Sequence, residues 1–188
     1  MSEALSLVVP ALAFLPAYRA ALESGWSPSV TIGPAATRKE LDFIARDPAA
    51  FLASLDDREP SGALVSMPDG TTRPRLPGYR RWLWDGDFCG HISLRWQSGT
   101  ADLPSHVMGH IGFGVVPGKR GRGYAAKAVT ALLPDARALG LPHVDLTTDP
   151  DNIASQKTIL RAGGRLVGSF VKDSAYGGAE GLLYRIIL

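Results

Sequence analysis

One short segment constrains the fold of this chain more than any other. It reads Val-Val-Pro-Gly-Lys-Arg-Gly-Arg-Gly-Tyr-Ala-Ala and spans residues 115–126, where a predicted strand ends, a turn follows and a predicted helix begins. Gly121 and Gly123 allow a tight turn, and the first amides of a helix have no partners within it. The segment therefore predicts an anion site made of main-chain amides, to which Arg120 and Arg122 could add charge-assisted bonds to phosphate.

The segment departs from two common glycine-rich phosphate motifs. It lacks the Gly-Lys-Ser/Thr ending of a P-loop, and Ala126 stands where a dinucleotide-binding fingerprint has its third glycine. The dinucleotide fold also needs a parallel sheet, whereas the pattern upstream of the segment predicts an antiparallel meander. A basic turn whose glycines serve geometry alone is an alternative interpretation.

The order of predicted elements indicates a mixed α/β sandwich with helices on both faces of a central sheet, in one domain that covers residues 1–188. Alternating apolar residues predict strands at residues 5–9, 79–84, 88–96, 106–116, 144–148, 165–171 and 181–188. Helical spacing predicts helices at residues 11–24, 37–55, 122–139 and 152–162.

Turn and capping signals refine the first half of the chain. Thr37 and Glu40 form a predicted capping box that opens the second helix, which is expected to break at Pro48. Residues 60–78 are rich in Pro, Gly and Ser and predict one long surface loop. The dipeptide Asp85-Gly86 predicts the turn of a β-hairpin.

In the second half, three glycines in the predicted strand at 106–116 indicate close backbone approach or a bulge: Gly109, Gly112 and Gly114. Pro134 predicts a bend or break near Leu133, because proline removes a helix hydrogen bond. Asp151 is the expected N-cap of the helix at 152–162.

Composition narrows the class of function. The 188 residues include 20 Lys or Arg and 18 Asp or Glu, a near balance that does not favour a nucleic-acid partner. The single cysteine, Cys89, excludes an internal disulfide, and the scattered histidines show no zinc spacing, so no metal is expected. The apolar stretch at 4–18 follows Glu3 where a signal peptide has Lys or Arg, and it is too short to span a bilayer. These features predict a cytoplasmic protein without a membrane partner.

Residues 120–125, Arg-Gly-Arg-Gly-Tyr-Ala, resemble the acyl-CoA signature Arg/Gln-x-x-Gly-x-Gly/Ala of the GNAT N-acetyltransferase superfamily. Three further landmarks agree: Val115-x-Pro117 before the signature, Asn-Ile-Ala-Ser at 152–155, and Gly163-Gly164 at the end of that helix. The Gly-His-Ile-Gly-Phe-Gly stretch at 109–114 is most similar to a bacterial branch of predicted acetyltransferases akin to ribosomal-protein N-acetyltransferases. The likeness covers nearly the whole chain, with strong motifs in its second half.

The resemblance implies a mostly antiparallel central sheet of six to seven strands that splays after its fourth strand, with helices on both faces. It implies acetyl-CoA as the co-substrate, without a metal, and acetyl transfer to a primary amine by direct attack in a ternary complex. The acceptor would be a small molecule or a peptide, and the enzyme a monomer or homodimer. The acceptor site would come from the first helices, the loop at 60–78 and the last hairpin.

The resemblance also implies a set of cofactor-binding residues. Main-chain amides would hold the CoA pyrophosphate at Arg120, Gly121, Arg122, Gly123, Tyr124 and Ala125. The strand backbone at Phe113 and Val115 would pair with pantetheine and polarise the thioester carbonyl. The Asn152 side chain, together with Ser155, would bond pantetheine or the phosphate arm.

The sequence departs from the family pattern at the proton-transfer positions. Many members place a tyrosine general acid seven residues after the CoA-contacting asparagine, and that position here is Ile159, which leaves Tyr176 and Tyr184 as alternatives. His110 stands where the related branch often has a glutamate, so it is a candidate general base. The alternative for His110 is a strand histidine satisfied by a neighbouring backbone group.

Trp26 is a candidate substrate contact, because its loop is expected to border the acceptor cleft. Two other functions stay open at this stage. A non-catalytic acyl-CoA-binding module is favoured by Ile159 and by the missing strand glutamate. A general phosphate or nucleotide binder would use the glycine segment without pantetheine.

Overall fold

The computed structural model describes residues 4–60 and 62–188. Its strands are β1 (Ser6–Val8), β2 (Asp56–Asp57), β3 (Leu64–Ser66), β4 (Thr72–Pro74), β5 (Gly78–Trp84), β6 (Phe88–Arg95), β7 (Ile111–Val115), β8 (His143–Thr148), β9 (Arg165–Val171) and β10 (Glu180–Ile187). Its helices are α1 (Leu15–Glu23), α2 (Pro34–Arg46), α3 (Pro48–Ala53), α4 (Tyr124–Ala138) and α5 (Ile153–Arg161).

The central sheet is divided into two parts. The first part has the strand order β1-β5-β6-β7, with β2 also paired to β5, and the second has the order β8-β10-β9. The two parts meet where Gly109 bridges Leu146 and the His110 amide donates to the Asp145 carbonyl at 2.7 Å. Beyond that point β7, the fourth strand of the central sheet, separates from β8. The expected antiparallel sheet with a splay after its fourth strand is confirmed.

Gly109 explains why the two parts touch at this one end. Its φ is +83°, in the left-handed region that favours glycine, and a Cβ there would lie 2.8 Å from the Asp145 carbonyl oxygen. The close backbone approach predicted for this glycine is therefore present.

Helices cover both faces of the sheet, as expected. On one face, α1, α2 and α3 bury an aromatic cluster that includes Tyr18, Phe51 and Trp82. On the other face, α4 packs on β6 and β7, and α5 packs on α4 and β8, in one buried cluster that includes Ile92 and Leu94 of β6. Each large apolar side chain buried in this way contributes roughly 1.5–3 kcal/mol.

The predicted capping box at Thr37 is wrong. Helix α2 begins three residues earlier, at Pro34, since proline has a fixed φ that suits the first helical position. Thr37 therefore lies inside the helix, and its hydroxyl donates to the Trp26 carbonyl at 3.1 Å. Glu40 pairs with Arg80 of β5 at 3.0 Å instead of capping the helix.

Two loop predictions also change. Residues 60–78 are not one continuous loop, because β3 and β4 pair within them, with Val65 opposite Arg73. The cap of α5 is Asn152 and not Asp151, since the Asn152 side chain accepts the Ser155 amide at 3.1 Å. The predicted break at Pro48 and the hairpin turn at Asp85-Gly86 are confirmed.

Helix α4 continues through Pro134, so of the predicted bend or break near Leu133 the break is wrong. Leu132 and Leu133 are buried against the sheet, as expected, while Pro134 lies on the exposed side of the helix. There the missing amide leaves a carbonyl that water can reach, so the helix tolerates the proline. Within residues 4–60 and 62–188, no helix combines the length and apolarity needed to cross a membrane.

Candidate active site

The direction of the peptide groups along β7 creates one side of the candidate site. The Arg95 amide donates to the His110 carbonyl at 2.9 Å, and the Val116 amide donates to the Cys89 carbonyl at 3.0 Å. Peptide groups alternate along an antiparallel strand, so the even-numbered residues of β7 bond to β6. The odd-numbered residues therefore direct their peptide groups to the opposite edge, where β8 has moved away.

Phe113 and Val115 are the odd-numbered residues at this open edge. Among the described residues, Phe113 has no hydrogen-bond partner on this edge, and the Val115 carbonyl accepts only the Arg120 side chain, at 3.1 Å. An open strand edge can pair with an extended ligand that carries amide groups. The structure thus brings the two predicted pantetheine-pairing residues to one accessible edge.

The glycine segment forms the second side of the site. Gly121 and Gly123 have φ of +77° and +75°, and a Cβ at either would meet open space. Within the described parts of the chain, the amides of residues 121–126 meet no acceptor. Such a turn at a helix N-terminus is a nest of donors that suits an anion. The residues present therefore fit a diphosphate.

A buried carboxylate anchors this loop. Asp85, in the β5–β6 turn, accepts from Lys119 Nζ at 2.6 Å and from the Tyr124 hydroxyl at 2.8 Å. Burial alone would raise the pKa of Asp85, but these bonds and the Cys89 thiol outweigh it and lower the pKa to about 2. The Tyr124 side chain is thus held in the hairpin, and its amide remains at the start of α4.

Asn152 combines a structural bond with an unused donor. Its Oδ1 accepts the Ser155 amide as the cap of α5, and its Nδ2 has no partner among the described residues. Asn152 follows β8, the strand on the other side of the gap from β7. Its amide group can therefore cap the helix and donate to a ligand at the same time.

His110 does not have the geometry of a general base. The ring is fully buried, and its Nδ1 accepts the Asp145 amide at 3.0 Å. Burial lowers the pKa of this imidazole, and its Nε2 is buried without a partner among the described residues. The lone pair that would take a proton is already engaged, which favours the alternative of a strand histidine satisfied by a neighbouring backbone group.

The predicted substrate contact, Trp26, is a core residue. Only 7% of it is exposed, and its ring packs edge-on against Tyr18, Phe88 and His91. Little of the ring surface is left for a substrate. His91 shares this core and lies opposite Gly114 in the β6–β7 register.

The two tyrosines considered as general acids lie in different places. Tyr184 is buried on β10 and donates to Gln156 at 3.3 Å. Tyr176 lies in the turn before β10. Its hydroxyl donates to the His106 carbonyl at 2.9 Å, and its side chain lines the cleft described below. Ile159, at the family's tyrosine position, is wholly buried.

A cleft of about 590 Å³ opens on the α1–α3 face of the sheet. It is bounded by α2, by the β3–β4 hairpin, by β5 and β6, and by the turn before β10. Of these elements, α2, the β3–β4 hairpin and the turn before β10 belong to the regions from which the acceptor site was expected, whereas β5 and β6 were not expected there. The sequence analysis missed its charged residues, notably Glu40, Arg80 and Arg95, because no local motif marks them.

A model of the GNAT acetyltransferase domain matches residues 45–165, more than half of the chain. The chain belongs to the GNAT acetyltransferase family. The resemblance found in the sequence is thereby confirmed, and membership of this family makes acetyl-CoA the co-substrate. No match is found among curated proteins.

Solved GNAT structures share the fold along almost the whole chain. The microcin C7 self-immunity acetyltransferase MccE, solved with acetyl-CoA and AMP, has a TM-score of 0.64 at 14% identity, with 98% of this chain and 92% of that chain covered. RimL, a ribosomal-protein α-N-acetyltransferase solved with coenzyme A, has a TM-score of 0.64 at 13% identity, with coverages of 100% and 96%. An acetyltransferase from Agrobacterium tumefaciens has a TM-score of 0.58 at 22% identity, with coverages of 100% and 93%.

Proposed function

We propose that this GNAT protein is an acetyl-CoA-dependent N-acetyltransferase that acts on a primary amine by direct attack within a ternary complex. One observation carries the proposal: two sets of unsatisfied main-chain groups, at Phe113 on β7 and at residues 121–126, belong to one strand–turn–helix unit. A ligand with an amide-containing arm and a diphosphate would satisfy both sets. Coenzyme A has this chemistry.

The chain would hold the donor mainly through its backbone. The amides from Gly121 to Ala125 would bind the diphosphate, whereas the Arg120 amide already donates to the Pro117 carbonyl at 3.2 Å, which corrects the prediction for that amide. The exposed guanidinium groups of Arg120 and Arg122 would add charge. Phe113 and Val115 would pair with pantetheine, which requires Arg120 to release the Val115 carbonyl and turn towards the diphosphate. Asn152, through Nδ2, would bond the same arm.

Bound acetyl-CoA would supply an activated acetyl group as a thioester. The outward amides of β7 would donate to the carbonyl oxygen and stabilise the negative charge that grows on it as the amine attacks. The new carbon–nitrogen bond forms and the carbon–sulfur bond breaks, while the amine proton passes to solvent and the thiolate is protonated from solvent. Orientation of this kind can supply up to ~7–11 kcal/mol of a barrier.

No side chain is needed as general base or acid in this scheme. His110 has its Nδ1 engaged, and Ile159 replaces the family's tyrosine. The amine would therefore enter as the free base. Activity is expected to rise with pH along the titration of the acceptor amine, without an inflection from a buried histidine.

The direct test is to incubate the protein with acetyl-CoA and a mixture of amines and to measure free thiol and acetylated amine. The proposal expects the two products in equal amounts. Competition between ATP and coenzyme A separates the proposed acetyltransferase from a nucleotide-binding protein, because ATP lacks the pantetheine arm that would pair with Phe113. Displacement of coenzyme A by equimolar ATP would contradict the proposal.

A non-catalytic acyl-CoA-binding module is the second candidate function. It is favoured by the wholly buried Ile159 and by the engaged Nδ1 of His110, which together leave no proton-transfer side chain at the family positions. Coenzyme A binding without thiol release for any amine would establish this module and overturn the enzymatic proposal.

A further inference from the structure

The charges that line the large cleft are strongly unequal. Among the described residues that line it, four have cationic side chains, Lys39, Arg75, Arg80 and Arg95, and one has a carboxylate, Glu40. The remaining lining is largely apolar and includes Phe43, Leu64 and Val107. A cleft with this lining repels polycations and attracts ligands that combine an apolar body with negative charge.

The cations differ in whether their charge is already neutralised. Arg80 pairs with Glu40 at 3.0 Å, and Arg75 lies 3.6 Å from a carboxylate oxygen of Asp57. Arg95 has no carboxylate partner among the described residues, and its bond within the protein is from Nη2 to Ser93 Oγ at 3.1 Å. Its guanidinium group, partly buried and still charged, therefore lacks a counter-ion.

Burial has the largest effect and lowers the pKa of Arg95; Tyr176 opposes this shift, and the positive charge of Arg80 adds a smaller lowering effect. The protein environment thus disfavours this cation unless an anion joins it. A guanidinium group binds carboxylates and phosphates in a bidentate manner, which makes either group a suitable partner.

Gly112 places this cation beside the proposed reaction site. Arg95 extends across β7, and a Cβ on Gly112 would lie 2.8 Å from its Nη2. The absence of a side chain at Gly112 is what admits the guanidinium group. Gly112 precedes Phe113, so Arg95 lies about one residue along the strand from the open edge that would hold the thioester.

We infer that the acceptor is a primary amine that carries an anionic group, a carboxylate or a phosphate, near the reacting nitrogen, and that Arg95 binds this group. This inference rests on the proposed N-acetyltransferase function and narrows its substrate class. It disfavours polyamines and aminoglycosides, whose added positive charges would meet Arg95 and Lys39.

Matched amines test the inference. L-Leucine is compared with isopentylamine, O-phosphoethanolamine with ethanolamine, and spermidine serves as a polycation, each with acetyl-CoA and a thiol readout. The anionic member of at least one pair is expected to have a KM lower by about tenfold or more, as for a charge-assisted bond. The leucine and phosphoethanolamine arms show which anion is bound.

Arg95→Gln should abolish that difference by raising the KM of the anionic amine and leaving the KM of the neutral amine unchanged. Arg75→Gln is the matched control, because it removes a cation from the same cleft whose charge is already paired with Asp57. The control should keep the preference. Equal KM values within both pairs, or a preference that survives in Arg95→Gln, would overturn the inference.

A binding measurement separates failure of the inference from failure of the proposed function. Calorimetry with N-acetyl-L-leucine and N-isopentylacetamide, in the presence of coenzyme A, needs no turnover. Tighter binding of the acid, lost in Arg95→Gln, supports anion recognition even when no thiol is released. Equal binding, or none for either ligand, excludes carboxylate recognition; the same result with N-acetyl-O-phosphoethanolamine and N-acetylethanolamine refutes the inference whatever the catalytic result.

Discussion

The buried carboxylate of Asp85 accepts a 2.6 Å hydrogen bond from Lys119, which stands 34 residues later at the start of the glycine loop. The other carboxylate oxygen accepts the hydroxyl of Tyr124, the first residue of α4. One side chain thus ties the turn between β5 and β6 to both ends of the candidate diphosphate loop. The loop is positioned by a neighbouring hairpin as well as by its own sequence.

Asp85→Ala is predicted to weaken coenzyme A binding, because Lys119 and Tyr124 lose their shared acceptor and the loop gains freedom. The expected cost in stability is about 2 kcal/mol, since a buried charged partner is removed. Calorimetry should show a higher Kd for coenzyme A. Asp87→Ala is the control in the same turn, because the exposed Asp87 side chain accepts, among the described residues, only the Phe88 amide. An equal loss of coenzyme A affinity in this variant would refute the role of Asp85.

Gly123→Ala tests the backbone of the diphosphate loop. Its φ of +75° should cost roughly 1–2 kcal/mol for alanine, and relaxation of the turn should misdirect the donor amides. Gly140→Ala is a matched control, with φ of +77° and open space around a Cβ, at the other end of α4. Thermal melts should show similar destabilisation for both variants, whereas only Gly123→Ala should raise the Kd of coenzyme A.

Asn152→Asp separates the two uses of this side chain. Aspartate is as good an N-cap as asparagine, so α5 should keep its stability, but the Nδ2 donor is replaced by a negatively charged oxygen. Coenzyme A binding is therefore expected to fall by about tenfold at unchanged thermal stability. Asp47→Asn is the control, because it makes the reverse change at the cap of α3. If Asn152→Asp leaves the affinity for coenzyme A unaltered, Asn152 does not belong to the binding site.

Two buried histidines should make stability fall at acidic pH. Burial lowers the pKa of His91 well below its usual value and also lowers that of His110. The unfolded chain therefore binds more protons than the folded chain below about pH 6.5, and the free energy of unfolding rises with pH in that range. Their contribution is complete above about pH 6.5 and is lost as the pH falls through the folded pKa values.

Urea unfolding at about pH 7 and about pH 5 measures this difference. The double variant His91→Gln, His110→Gln should flatten the pH dependence between these values. His106→Gln, at a histidine that is only partly buried, should retain it. A dependence as steep in the double variant as in the parent would contradict the assignment to the buried imidazoles.

Local sequence predicted most elements because their signals are local. The period-2 pattern around Asp85-Gly86 and the glycines that end α4 and α5 depend only on neighbouring residues, and the structure agrees with them. The capping box at Thr37 failed for the opposite reason. Trp26, Tyr18 and Arg80 supply partners to Thr37 and Glu40 from distant parts of the chain, and these contacts compete successfully with a local cap.

The candidate site divides in the same way. The segment at 120–125, proposed to hold the acetyl donor, could be found from sequence because its chemistry lies mainly in consecutive backbone amides. The charged residues of the candidate acceptor cleft could not be found in this way. Arg95 matters because Gly112 of the neighbouring strand leaves room for it and because no acidic residue among those that the structure describes pairs with it. The role of His110 could not be predicted from sequence for the same reason, because the hydrogen bond from the Asp145 amide to its ring depends on a contact between distant parts of the chain.

The sequence by itself determined the strand–turn–helix whose backbone suits an anion, the order of the elements and the family resemblance that follows from both. Only the tertiary structure decided which peptide groups of β7 remain open, which carboxylate anchors the loop and which cation in the cleft stays unpaired. The reason is physical: backbone donors and turns are specified by adjacent residues, whereas burial and charge compensation depend on groups that meet only after the chain has folded.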